Sequence, residues 1–246
     1  MNPALAVLAV VVGYLLGAIS FARVTLRVFG QRPVQDVELA VPGIEDKFHS
    51  TSVSATAVRL QLGPKYGCLA AILDMAKAGV PALIWRLLFP AEPYFLISAA
   101  AAVFGHNWPV YYRFKGGRGQ SPTMGGMLVI DPVGLAVILV VGNVVARYIL
   151  RNAFLLMNLW TALLIPWFLI RTSDPAYWLY AIAINIASWV AFIPEYREYR
   201  RVRHEGGLQT AEDGIRMMYV NRGLGRWAQI ITRVKPTSDQ HEQRPS

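Results

Sequence analysis

Charge is what this chain of 246 residues has least of: Asp, Glu, Lys and Arg together make up 16%, against about a quarter in an ordinary soluble domain. Cysteine is nearly missing too. The single Cys68 excludes an internal disulfide. The four histidines are scattered and combine with that cysteine into no metal-ligand spacing, and the sequence contains no Ser-His-Asp order and no Walker loop. Zinc modules, triad hydrolases and P-loop nucleotide enzymes are thereby excluded as readings, and no cofactor is implied.

What is abundant is apolar. Hydrophobic residues account for 54%, and no charge falls between Ala4 and Phe21. Similar runs recur along the chain, each near the ~20 residues that hydrocarbon thickness demands. The first run lacks a basic leading segment and a small-x-small cleavage site, so it reads as a helix rather than a signal peptide. Seven candidate spans follow, roughly 3–22, 67–89, 94–112, 120–131, 133–149, 153–170 and 176–193. The fourth is too short to cross unaided and reads as a half-span or re-entrant piece ending at Asp131-Pro132. The expected fold class is an all-α integral membrane protein.

Loop charge tests that count, because Lys and Arg of short loops accumulate on the cytoplasmic side. With seven crossings, 21 of the 24 basic residues fall on one side and only Arg86 and Arg171 on the other, with Lys77 inside a span. The N-terminus is therefore expected outside. The loop 23–66, the loop around 113–119 and the tail from 194 are expected in the cytosol, and the membrane is expected to be the cell's inner (plasma) membrane.

Three stretches stand out. Gly105-His106-Asn107-Trp108-Pro109 leads into Phe114-Lys115-Gly116-Gly117-Arg118-Gly119. Three glycines and two cations suit a phosphate, since such a backbone can turn several N–H groups one way beside positive charge. His106 reads either as an interfacial anchor or as a proton-transfer group. The loop 23–66 is too long for a simple connection. Its segment Ser50-Thr51-Ser52-Val53-Ser54-Ala55-Thr56, followed by Arg59, offers hydroxyls and a cation to a phosphate or polyol, or else helix caps and turns. Inside the second span, Asp74 and Lys77 stand at i, i+3, where they can neutralise each other; they read either as a structural pair or as a wall of a polar site.

The tail, 206–246, is basic. Val220, Leu224, Trp227 and Ile231 follow helical spacing among Arg216, Arg222, Arg226 and Arg233, as in an amphipathic helix on anionic lipid, and the residues after Lys235 read as disordered. Nucleic acid is the competing partner for such charge, disfavoured by the adjoining spans.

In order and spacing over about residues 10–205, these elements resemble the PlsY-type bacterial glycerol-3-phosphate acyltransferases. The carriers are Leu73-Asp74-x-x-Lys77-x-x-x-Pro81, then Gly105-His106-x-x-Pro109-Val110 and Phe114-Lys115-Gly116-Gly117-x-Gly119, and finally the Arg197-Glu198 tail element. The resemblance implies a seven-span membrane enzyme, here residues 1–205, with a cytosolic site that moves a fatty acyl group from acyl phosphate to glycerol 3-phosphate. On that reading Lys115, Gly116, Gly117, Arg118 and Gly119 hold the donor phosphate. Ser50, Ser52 and Thr56 hold the acceptor, Arg197 or Arg59 its anionic end, and Asp74 and Lys77 the wall. His106 orients the loop or assists proton transfer. The departures fall mainly on the acceptor side. Thr51, Ser52, Ser54 and Ala57 replace Gly, Asn, Gly and Asn, Leu60 stands where Arg is expected, Arg118 replaces Lys, and Tyr196 and Tyr199 take His and Asn places. Two other readings stay open: a paralogue that binds phospholipid precursors without turnover, and a small transporter.

Overall fold

A computed structural model describes residues 1–30, 37–41, 44–210, 212–214 and 217. The proposed amphipathic tail helix and the segment after Lys235 lie outside these residues. The apolar runs form helices as expected. The first is broken: α1 (Pro3–Gly17) gives way at Ala18–Ser20 to α2 (Phe21–Phe29), whose start Ser20 caps by accepting from the Arg23 N–H at 3.4 Å. The helix therefore runs past the expected end at 22, carrying Arg23 and Arg27 with it. Arg23 survives there by lying over the Tyr112 ring, 4.4 Å from its centroid.

Two strands, β1 (Val37–Ala40) and β2 (Lys47–Ser50), form an antiparallel hairpin with Leu39 opposite Phe48. The chain is thus mostly helical but not all-α. In Leu39 and Phe48 the apolar side chains sit at alternate positions and turn inward, as a half-buried strand pair requires. Then come α3 (Ala55–Leu62), capped by Ser54, α4 (Pro64–Leu88) and α5 (Tyr94–Asn107). The bundle continues with α6 (Gln120–Ile130), α7 (Pro132–Val144) running into a π-turn at Val145–Ile149, α8 (Ala153–Ala162), α9 (Leu164–Arg171), α10 (Pro175–Ala191) and α11 (Ile193–His204).

Among the described residues, four helical stretches are long and apolar enough to cross a membrane, and a fifth if α10 and α11, bent by 48°, are one broken span. Helices α5, with 14 residues, and α6, with 11, fall short of the hydrocarbon thickness on their own; α6 has the half-span length its sequence suggests. Helix α5 is the centre of the bundle. It packs along α1 so closely that a Cβ on Gly105 would collide with the Tyr14 carbonyl, the small-residue contact by which helices approach each other in lipid.

The break in the first span leaves backbone groups unpaired, and the buried pair on α4 takes them. Lys77 Nζ donates to the Ile19 carbonyl at 2.6 Å, and Asp74 accepts a backbone hydrogen bond from Phe21. The two side chains pair at 2.8 Å with 3% and 2% of their surface exposed. Removing one partner leaves a buried charge, so Lys77→Met should destabilise the fold by about 3–5 kcal/mol, and the double variant Asp74→Asn/Lys77→Met by less than the two single changes together. Thermal unfolding in detergent checks this; additive losses would mean that the pair does not act as a unit.

Candidate active site

At one end of the bundle the hairpin, the start of α3, the end of α5, the start of α6 and α11 enclose a cavity of about 190 Å³. Its lining is divided. Ser50, Ser52, Ser54, Thr56, Asp74, His106, Arg118, Gln120 and Glu195 make a polar side, while Leu39, Phe48, Phe154, Phe192 and Tyr199 belong to an apolar cluster opposite. Among the described residues Arg118 is the sole lysine or arginine on the lining.

The glycine-rich loop folds back onto the end of α5. The Gly117 N–H donates to the His106 carbonyl at 3.0 Å, the Lys115 N–H to the Tyr112 carbonyl at 3.1 Å, and the Val53 N–H to the Gly116 carbonyl at 3.3 Å. The tight turn is made by Arg113 and Phe114, both with left-handed backbone at φ 52° and 59°, a costly conformation for non-glycine residues. Gly117 has no room for a side chain, because a Cβ would strike His106 Nε2. With the Phe114 N–H donating to the Pro109 carbonyl at 3.0 Å, three of the N–H groups of 114–119 are thus spent internally. Lys115 is exposed, and Gly116, Gly117 and Gly119 do not line the cavity.

His106 is fixed from the other side. Its Nδ1 lies 2.9 Å from Lys77 Nζ. An ammonium only donates, so Nδ1 accepts and the ring proton sits on Nε2, facing the loop. The chain Asp74–Lys77–His106–Gly117 therefore ties the broken first span to the glycine loop. Asp74 and His106 line the cavity, and Lys77 stands behind both.

Of the hydroxyls, Ser54 serves as the α3 cap. Ser50 Oγ donates to Glu195 Oε1 at 3.3 Å and accepts from the Ser52 N–H at the same distance. The Ser52 hydroxyl is buried and without a partner in the structure, which leaves it free for something inside the cavity. Thr56 lines the cavity too. Arg59 and Arg197 do not: Arg59 packs at the α3–α4 crossing beside Gly67, and Arg197 is exposed.

A scan of family models matches residues 7–203 to the glycerol-3-phosphate acyltransferase family. The chain belongs to that family. Relatives with the same name include the Aquifex aeolicus protein, 36% identical over 128 residues, or 52% of this chain and 60% of that one. The Halalkalibacterium halodurans protein is 31% identical over 64% of this chain and 73% of its own length. The similarity spans 41% of a Legionella pneumophila (strain Corby) relative. Among solved structures, the lysophosphatidic acid form of PlsY (YgiH), an integral membrane glycerol 3-phosphate acyltransferase, aligns with a TM-score of 0.64 at 25% identity, covering 80% of this chain and 93% of that one. Its glycerol 3-phosphate form aligns with a TM-score of 0.63 at 26% identity, covering 83% and 94%.

Within this glycerol-3-phosphate acyltransferase family member the sequence reading overlooks Glu195. It is the first charge after an apolar span and stands in a basic run, which is the available signal. It also overlooks the hairpin's clasp on α11. Arg201 Nη2 donates to the Lys47 carbonyl at 2.7 Å and to Glu198 at 2.8 Å, and Arg201 also pairs with Asp46. Glu198 in turn accepts the His49 N–H at 2.8 Å. The hydrogen bond from Arg201 holds the carboxyls of Glu198 and Asp46 below the usual carboxylate range. Their contribution to stability is therefore present above that range and is lost as the pH falls through the lowered values. Acidification should loosen the hairpin before the bundle unfolds. Amide exchange should then rise first at Lys47–Ser50; a hairpin as protected at about pH 3 as at about pH 7 would contradict the clasp.

Proposed function

We propose that this protein transfers a fatty acyl group from acyl phosphate to glycerol 3-phosphate, or a closely related phosphorylated alcohol, to form lysophosphatidate for phospholipid synthesis. The observation that carries the reading is the cavity's division, with one cation and a row of hydroxyls on one side and an aromatic, aliphatic wall on the other. That pairing suits a greasy donor with an anionic, reactive head and a water-soluble acceptor. Family membership and the likeness to structures of PlsY in its glycerol 3-phosphate and lysophosphatidic acid forms support the same chemistry.

Acyl phosphate is already activated. The acceptor oxygen attacks the acyl carbon, the bond from that carbon to the phosphate oxygen breaks, and the acceptor proton leaves with phosphate. No protein nucleophile is required, so placement and charge neutralisation supply the acceleration. Arg118 would neutralise a phosphoryl group, Ser50, Ser52 and Thr56 would hold acceptor hydroxyls, and Lys115 would attract anions at the mouth. His106, with its proton on Nε2 and Lys77 and Asp74 behind it, would orient the glycine loop, including Gly116, Gly117 and Gly119, rather than take a proton. Arg59 and Arg197 would act through packing and surface charge.

In this proposal all seven candidate segments are embedded, with α5 and α6 as the short ones, the N-terminus outside and the cavity at the cytosolic face of the inner membrane. Residues 1–205 form the catalytic unit and 206–246 a basic appendage on membrane lipid. Purified protein given palmitoyl phosphate and labelled glycerol 3-phosphate should yield labelled lysophosphatidate. Arg118→Ala combined with Lys115→Ala should lower kcat/KM by about a hundredfold or more. Undiminished turnover in the double variant would refute the site assignment, and binding of both substrates without product would favour a non-catalytic paralogue.

A further inference from the structure

The cation that faces the cavity is already occupied. Arg118 grips Glu195 with two prongs, Nε to Oε2 and Nη2 to Oε1, while its Nη1 reaches the Gly117 carbonyl at 3.4 Å. The two side chains are 14% and 8% exposed. Ser50 adds a third hydrogen bond to the same carboxylate at 3.3 Å. A parallel two-pronged contact is the geometry by which guanidinium binds either a carboxylate or a phosphate. Glu195 therefore fills, within the same chain, the position that an incoming phosphoryl group would take.

We propose that Glu195 is the specificity-determining residue of this site: an internal anion seated on Arg118, which a phosphorylated substrate must displace before it can bind. The placement of Glu195 fits such a role. It lies in the first turn of α11, just after the 48° bend from α10, so a change at that bend would carry the carboxylate away from Arg118. A phosphoryl group that entered without displacing it would sit against a like charge with no second lysine or arginine on the described lining to offset it. An uncharged polyol meets no such barrier, because it can use Ser50, Ser52 and Thr56 alone. The identity of the incoming anion rests on the acyl-transfer reading above; the seat itself does not.

The test uses full-length protein in detergent and inorganic phosphate as the probe, read by calorimetry. Glu195→Gln should raise phosphate affinity about tenfold and change glycerol affinity far less, since of the three hydroxyls only Ser50 bonds that carboxylate. Glu205→Gln removes the same charge from the end of the same helix, where it pairs with Arg201 at 3.1 Å rather than Arg118, and should alter neither. Steady-state kinetics then separates the two sources of phosphate: in Glu195→Gln the KM should fall for whichever of glycerol 3-phosphate and palmitoyl phosphate uses the seat, with the other unchanged. Phosphate affinity equal to or below wild type, in a variant that unfolds at the wild-type temperature, would overturn the proposal. Should Glu195→Gln not fold, Glu195→Asp, whose shorter arm loosens the grip, should bind phosphate about threefold tighter, and no gain there would overturn it equally. Tighter phosphate binding by Glu195→Gln without lysophosphatidate from either protein would support the seat while refuting acyl transfer.

Discussion

A buried ammonium organises one end of this molecule. Lys77 Nζ lies within 2.6–2.9 Å of the Ile19 carbonyl, the Asp74 carboxylate and His106 Nδ1. Those three acceptors come from the break in the first span, from α4 itself and from the end of α5. A helix broken inside hydrocarbon must find partners for its freed backbone groups, because each unsatisfied one costs several kcal/mol. The break and the ion pair therefore need each other. Without the break, Lys77 would keep only Asp74 and His106, and Asp74 would lose the Phe21 N–H. Without the pair, the break would leave a bare carbonyl and a bare N–H without partners. His106 is held by the same ammonium, and through it the glycine loop: Gly117 accommodates the ring only because it has no side chain.

From this fixed point the cavity is assembled by parts that are held in different ways. The end of α5 and the glycine loop are tied to the helix bundle through His106 and Lys77. The roof is a short hairpin held to α11 in part by one surface ion pair, Arg201 with Asp46, individually weak and screened by salt, and by the hydrogen bonds from Arg201 to the Lys47 carbonyl and from the His49 N–H to Glu198. The apolar residues of hairpin and α11, Leu39, Phe48 and Val202, join Leu208, Phe154 and Phe192 in one cluster. The roof is thus held by burial as well as by charge, and opening it would expose that cluster.

How much of this is legible in the sequence depends on how far apart along the chain the partners lie. The i, i+3 spacing alone puts Asp74 and Lys77 on one face, and the run of glycines after His106 announces a close approach. Neither tells that the lysine reaches Ile19, 58 residues away, or that Arg118 finds Glu195 across 77 residues; tertiary pairings leave no local periodicity. The hairpin escapes notice because four-residue strands are shorter than any convincing alternation, although Leu39 and Phe48 follow it. Resemblance points to Arg197 rather than Arg201 because it weighs motif position, whereas contact is decided by helix phase. On α11, Glu198 and Arg201 share the face toward the hairpin while Arg197 is exposed.

The altered positions can be weighed against the chemistry proposed for them. A donor that carries its own leaving group asks the protein for proximity and a cation, not for a particular base, so side chains can change identity provided that the cavity keeps its polar and apolar halves. Ser52 in an Asn place still presents a hydrogen-bonding group, and its hydroxyl has no partner in the structure to compete for it. The loss of His and Asn in the tail element is of another kind. Tyr199 contributes its ring to the apolar cluster beside Phe154, 5.6 Å between centroids, so a polar position has become part of the greasy wall. Arg118 in a Lys place changes the shape of the cation rather than its charge. A guanidinium can take both oxygens of Glu195 at once, where an ammonium would meet the carboxylate as a point charge. Either partner left alone in so enclosed a site would be costly. The arginine and the carboxylate are therefore coupled, and what the pair governs is how an anion is received.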